Sequence, residues 1–234
     1  MNHHRAARIS QCIFLSMMAL LYIAFMLCDF FDGKVWLSST LKYCSIIGCF
    51  LFCYIRAGYS SLVSKGLFFT VVADIYLLFT DYYFYGVLSF CVVQLIYFFH
   101  IKHWNSKISN QHIVVRVVIA ILIILLLASQ VPVDWVLGIT VFYFTNFIAN
   151  LILLFKTRHR MRHDVEFNRF FFGMGLFFLC DICVGISNLS SYIVLNGLWV
   201  QSLIVVASFG MWGFYLPGQV LIALSSREKR NNIK

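Results

Sequence analysis

Two aspartates, Asp74 and Asp181, stand inside long apolar runs, FFTVVADIYLLF and GLFFLCDICVGI. A charge at the centre of a spanning helix costs roughly 2.5–3.5 kcal/mol on insertion scales, so residues of this kind point to function. Two carboxyls that share one proton provide an acid and a base at neutral pH, the equipment for general acid/base chemistry. The spacing supports a common site. Asp74 lies seven residues before Asp81, and Asp181 lies seven before Asn188, at the ends of their respective runs. At about 1.5 Å per residue, both carboxyls fall roughly 10 Å below the same boundary. The plainer reading is that each is a protonated, hydrogen-bonded packing residue. The equal depth favours a shared site.

Other polar side chains fall on single helical faces at the right spacing to surround such a pair. Gly86, Phe90, Gln94 and Tyr97 are spaced i, i+4, i+8 and i+11, and Tyr143, Asn146 and Asn150 are spaced i, i+3 and i+7. Tyr215 and Gln219 are four apart, with Pro217 between them to kink the helix. A single Asn or Gln within a membrane usually joins helices. Several of them converging on two aspartates predict a polar pocket with Phe-rich walls, suited to a lipid chain.

The elements that must carry these residues follow from composition. The 234 residues are 62% hydrophobic and 12% charged, with a mean hydropathy of +0.87. A soluble domain has about 25% charged residues, so this chain cannot cover a water-facing surface. Soluble enzymes, nucleic-acid binders and disordered chains are excluded. Runs of about 20 apolar residues mark spanning helices. Eight are expected, near 9–28, 36–55, 65–80, 83–101, 113–130, 134–155, 168–187 and 199–224, as one all-α integral membrane domain over 1–234. The first run follows Arg5 and Arg8 but is too long for a signal peptide and lacks a cleavage site, so it is read as retained.

Charge sets the orientation through the positive-inside rule. With both termini cytoplasmic, 16 of the 18 basic residues, Arg116 among them, fall in inner segments, and only Lys34 and Lys42 fall outside. The net charge of +9 is thereby assigned to the inner lipid surface and not to nucleic acid. Asp29, Asp32, Asp81 and Asp134 fall at outer helix ends, and Asp164, Glu166 and Glu228 in inner loops. The eight cysteines lie in or at the end of helices and read as small hydrophobes, the Cys180/Cys183 pair included. All seven histidines, including His3, His4 and the His159/His163 pair, read as inner-side residues, and no metal site is expected.

Several segments together resemble the YhhN-type lysoplasmalogenase family. Ala73-Asp74-Ile75-Tyr76-Leu77-Leu78, followed by Gly86-x3-Phe90-x3-Gln94-x2-Tyr97, is similar to the family's central signature. Gly173-Met174-Gly175-Leu176-Phe177-Phe178-Leu179-Cys180-Asp181 is similar to a second, and the segment from Tyr215 to Ser225 to the family's ending. These stretches cover about two-thirds of the chain in the family's order. Three positions depart: Ala73 and Cys180 stand where the family usually has Gly and Ser, and Gln94 where it usually has His. A Gln cannot shuttle a proton near neutral pH.

The resemblance implies hydrolysis of the vinyl ether bond of a lysoplasmalogen, giving a fatty aldehyde and a glycerophospho-base. Asp74 and Asp181 would be catalytic, and Gln94, Tyr97, Tyr143, Asn146, Asn150, Tyr215 and Gln219 would contact substrate. The partners are then a membrane lysophospholipid and water as co-substrate, with no metal or organic cofactor, in a multi-pass protein of a bacterial cell membrane. The alternative is a non-catalytic relative that binds lipid, or a proton-coupled transporter using the same aspartates. Transporters tend to show internal repeats and paired broken helices, and no convincing repeat is present here. An intramembrane aspartyl protease would carry Gly-x-Gly-Asp, and Gly173 and Gly175 lie too far from Asp181 for that.

Overall fold

The computed structural model describes residues 2–31, 33–130, 132–189 and 198–227. Asp32, Glu228, Lys229, Arg230 and Lys234 lie outside the described residues, as do the side chains of His3, His4 and Arg5. The described residues form eight helices: α1 (Asn2–Phe30), α2 (Val35–Ala57), α3 (Leu62–Phe79), α4 (Tyr83–Trp104), α5 (Gln111–Ala128), α6 (Trp135–Met161), α7 (Val165–Leu189) and α8 (Leu198–Leu224). All eight are long and apolar enough to cross a membrane. Each matches an expected run, and α1, α6 and α7 extend beyond theirs because the backbone stays helical past the apolar stretch. Large apolar side chains face outward, Ile55 and Leu126 being 81% and 70% exposed, as a lipid-facing surface requires. This is a multi-pass membrane protein.

Five helices close into a ring: α3 packs on α4, α4 on α6, α6 on α7, α7 on α8, and α8 on α3. The remaining three lie outside it, with α2 against α3 and α8, α1 against α2, and α5 against α6.

Local chemistry explains the boundaries. Asp134 caps α6 by accepting from the Leu137 N–H at 2.7 Å, and Asp164 does the same for α7 from Phe167 at 2.9 Å. Gly58, at φ 77°, ends α2 in the left-handed region that glycine reaches without strain. Between α3 and α4 only residues 80–82 remain, so these helices are antiparallel neighbours, as the sequence predicts.

Ring closure depends on missing side chains. A Cβ at Gly173 would come within 2.9 Å of the Gly218 carbonyl oxygen, so α7 and α8 cross backbone to backbone. A Cβ at Gly86 would meet Leu77 at 2.7 Å, one turn beyond Asp74 on α3. Pro217 has no N–H for the Gly213 carbonyl one turn back. The Tyr22 hydroxyl of α1 donates to that carbonyl at 3.4 Å and ties the outer helix to the ring.

Candidate active site

Each ring helix contributes polar groups to the interior. Asp74 of α3 and Asp181 of α7 are 3% and 8% exposed. Each is held by a tyrosine from another helix. The Tyr215 hydroxyl of α8 donates to Asp74, 2.9 Å from Oδ1 and 2.8 Å from Oδ2. The Tyr143 hydroxyl of α6 donates to Asp181 Oδ2 at 2.6 Å. No hydrogen bond joins the two carboxyls among the described residues, so each is paired with a phenol and not with the other. Buried polar groups need such partners, and here four helices supply them reciprocally.

Aromatic rings link the two pairs. Phe177 lies 5.6 Å from the Tyr215 ring and 5.5 Å from Phe90, which lies 5.9 Å from Tyr143. These separations suit edge and offset ring contacts.

The Asp181 side continues into a polar chain. The Gln94 amide of α4 lies beside the Tyr143 hydroxyl. Asn150 Nδ2 donates to Gln94 Oε1 at 2.9 Å and to the Gln94 backbone carbonyl at 2.8 Å. Arg116 Nη1 of α5 then donates to Asn150 Oδ1 at 2.9 Å. Arg116 is 4% exposed and sits over the Phe98 ring, 4.6 Å from its centroid. Its place corrects the expectation that it belongs to an inner surface segment. The fifth residue after Gln111 on α5, it projects inward across α6.

The other expected site residues are also buried in the interior. Tyr97 is fully buried toward α3, where a Cβ at Gly66 would touch its ring at 2.3 Å. Asn146 bonds back to the Phe142 carbonyl of its own helix at 2.9 Å. Gln219 is fully buried, and among the described residues neither polar atom of its side chain has a hydrogen-bond partner. Gln94 Nε2 likewise has none among them. His159 and His163 are exposed, and all eight cysteines are free.

Sequence reasoning missed two features. Arg116 was visible as a charge inside the run that begins at Gln111. Asp29 was read as an outer helix-end charge and Lys42 only as an outer-side one, but they form an ion pair of 2.8 Å between α1 and α2.

The YhhN family model matches residues 54–226, which include all five ring helices and leave α1 and most of α2 outside the match. No curated protein and no solved structure matches the chain.

Proposed function

The chain belongs to the YhhN family, and on that premise we propose that it hydrolyses the vinyl ether bond of lysoplasmalogens to a fatty aldehyde and a glycerophospho-base. The observation that carries this reading is the pair of carboxyl–phenol contacts, Asp74–Tyr215 and Asp181–Tyr143, built by four helices around one aromatic layer. The reading places the reaction in a bacterial cell membrane and gives it no metal or organic cofactor.

In this mechanism the protonated carboxyl of one aspartate gives its proton to the β-carbon of the vinyl ether. The alkene electron pair forms the new C–H bond and leaves an oxocarbenium cation shared by the α-carbon and the ether oxygen. The other aspartate, ionised, stabilises that cation and takes a proton from water as the water oxygen adds to the α-carbon. Two-carboxylate glycosidases handle a similar cation in this way. The hemiacetal then collapses. Its hydroxyl proton returns to the first aspartate, the second protonates the departing glycerol oxygen, and the aldehyde forms. Both aspartates end as they began.

Gln94 fits a positioning role. Its Oε1 is engaged by Asn150, while its buried Nε2 has a hydrogen still to donate, and a substrate oxygen would satisfy it. Tyr143 and Tyr215 keep the carboxyls in place.

The test is aldehyde release from a lysoplasmalogen by purified protein in detergent, beside folded Asp74→Asn and Asp181→Asn variants. Wild type should release aldehyde, and each variant should lose about 10²-fold or more, the size of a general acid/base contribution. No aldehyde from folded wild type, across several head groups and pH values, would overturn the hydrolase and leave the aspartates as a lipid-binding or proton-relay pair. Activity that appears only in Gln94→His would show a site silenced at that position.

A further inference from the structure

A cavity of about 360 Å³ opens between α1, α2 and α8. Its wall carries both charges of the Asp29–Lys42 pair, with Ser38, Ser39 and Trp212. Lys42 Nζ lies 2.8 Å from Asp29 Oδ2 and 4.8 Å from the Trp212 ring centroid, and the Ser38 hydroxyl donates to Asp29 Oδ1 at 2.5 Å. The lysine side chain is only 11% exposed and that of the aspartate 26%. Seven residues along α2 from Val35, Lys42 stands about 10 Å inside its helix. A buried ion pair carries a large desolvation cost and is weak evidence for a purely stabilising role. This one lines an opening.

The cavity also adjoins the ring site. Trp212 packs edge-on to Tyr215 at 5.1 Å, and Tyr215 holds Asp74. One turn of α8 separates the two aromatics, about 4.5 Å along the axis. A lipid with its phosphate beside Lys42 is separated from Asp74 by two rings, those of Trp212 and Tyr215.

We infer that the Asp29–Lys42 cavity is the head-group site for the lipid on which the ring acts, with Lys42 taking the phosphate and Asp29 the ammonium of a zwitterionic phospho-base. The inference rests on the hydrolase reading for the identity of the lipid, but the binding chemistry stands on the cavity. A fixed pair of opposite charges complements a zwitterion better than a lone anion or cation, each of which would leave one wall charge facing its own sign. Asp29 and Lys42 both precede the span matched by the family model, so head-group choice is set by α1 and α2 of this chain.

The test is binding, with no turnover required. Three single-chain ether lipids without a vinyl bond are titrated into wild type in detergent by calorimetry: an alkyl glycerophosphocholine, an alkyl glycerophosphate and an alkylglycerol. The zwitterion should bind about tenfold or more tighter than the alkylglycerol, from a charge-assisted hydrogen bond between Lys42 and the phosphate and charge attraction between Asp29 and the ammonium, and tighter than the bare phosphate. Lys42→Met and Asp29→Asn should each remove that preference, while Asp74→Asn keeps it. Equal binding of all three lipids to wild type would overturn the proposal, whether or not the variants fold. Zwitterion-selective binding without aldehyde release would uphold the head-group site and sink the hydrolase.

Discussion

The two carboxyls of the ring sit in matched contacts with unlike surroundings. Asp74 leads through Tyr215 and Trp212 to Lys42, a cation neutralised by Asp29 and bordering a cavity. Asp181 leads through Tyr143, Gln94 and Asn150 to Arg116, a buried cation bonded to an amide and sealed among helices. Both cations are buried, yet Lys42 has an acid partner and access, and Arg116 has neither among the described residues. On the proposed reading the Asp74 side meets the lipid head group, and the Asp181 side orders a hydrogen-bonded network that ends at the Gln94 amide facing substrate.

The largest effects should come from the carboxyls themselves. If both halves take part in one reaction, Asp74→Asn and Asp181→Asn each lower aldehyde release by about 10²–10⁴-fold. A variant that keeps full activity would break the comparison by making its half-site structural. Next in size is Asn150→Ala, which removes the amide partner of Arg116 and of Gln94. Losing a hydrogen bond to a buried charge costs about 1.5–3 kcal/mol, to be read as a lower unfolding temperature in detergent. Little change there would mean that Arg116 finds another partner.

Tyr143→Phe and Tyr215→Phe should each cost about 1 kcal/mol, or roughly fivefold in rate. The difference between them sharpens the comparison. A bond to an ionised carboxylate is roughly twice as strong as a neutral one, so the larger loss marks the half that holds the base.

The smallest effect is expected at the far end of the bundle. There Arg227 pairs with Glu166 and lies 3.4 Å from Asp164, with most of its side chain exposed. The Glu166 carboxylate, by hydrogen bond and by charge, pushes the Arg227 guanidinium above its ordinary range. Exposed pairs are worth about 0–1 kcal/mol and weaken in salt. Arg227→Ala should barely shift the unfolding temperature, and any shift should fade at high ionic strength. A larger, salt-independent loss would place Arg227 beside Arg116 as a structural cation.

The eight spans were legible because a bilayer demands about 20 apolar residues with every backbone group satisfied internally, a requirement written along the chain. Asp74 and Asp181 were legible for the same reason, as breaks in apolar runs. So were Tyr143 and Tyr215, whose helical spacing placed them with the site, though as substrate contacts and not as carboxylate partners. Tyr97 shares that spacing yet packs on Gly66 of α3, and Asn146 bonds back to its own helix, because a face of a helix is wide enough to touch two helices at once.

The sequence by itself determined the membrane class, the helix count and which residues carry charge into the bilayer. These depend on local hydropathy and period alone. Only the tertiary structure decided which helices close the ring, that each carboxyl answers to a phenol, that Arg116 turns inward and that Asp29 meets Lys42. Those outcomes depend on how helices far apart in the chain come side by side, and helix packing is set by small residues such as Gly86, Gly173 and Gly218, whose partners no local pattern names.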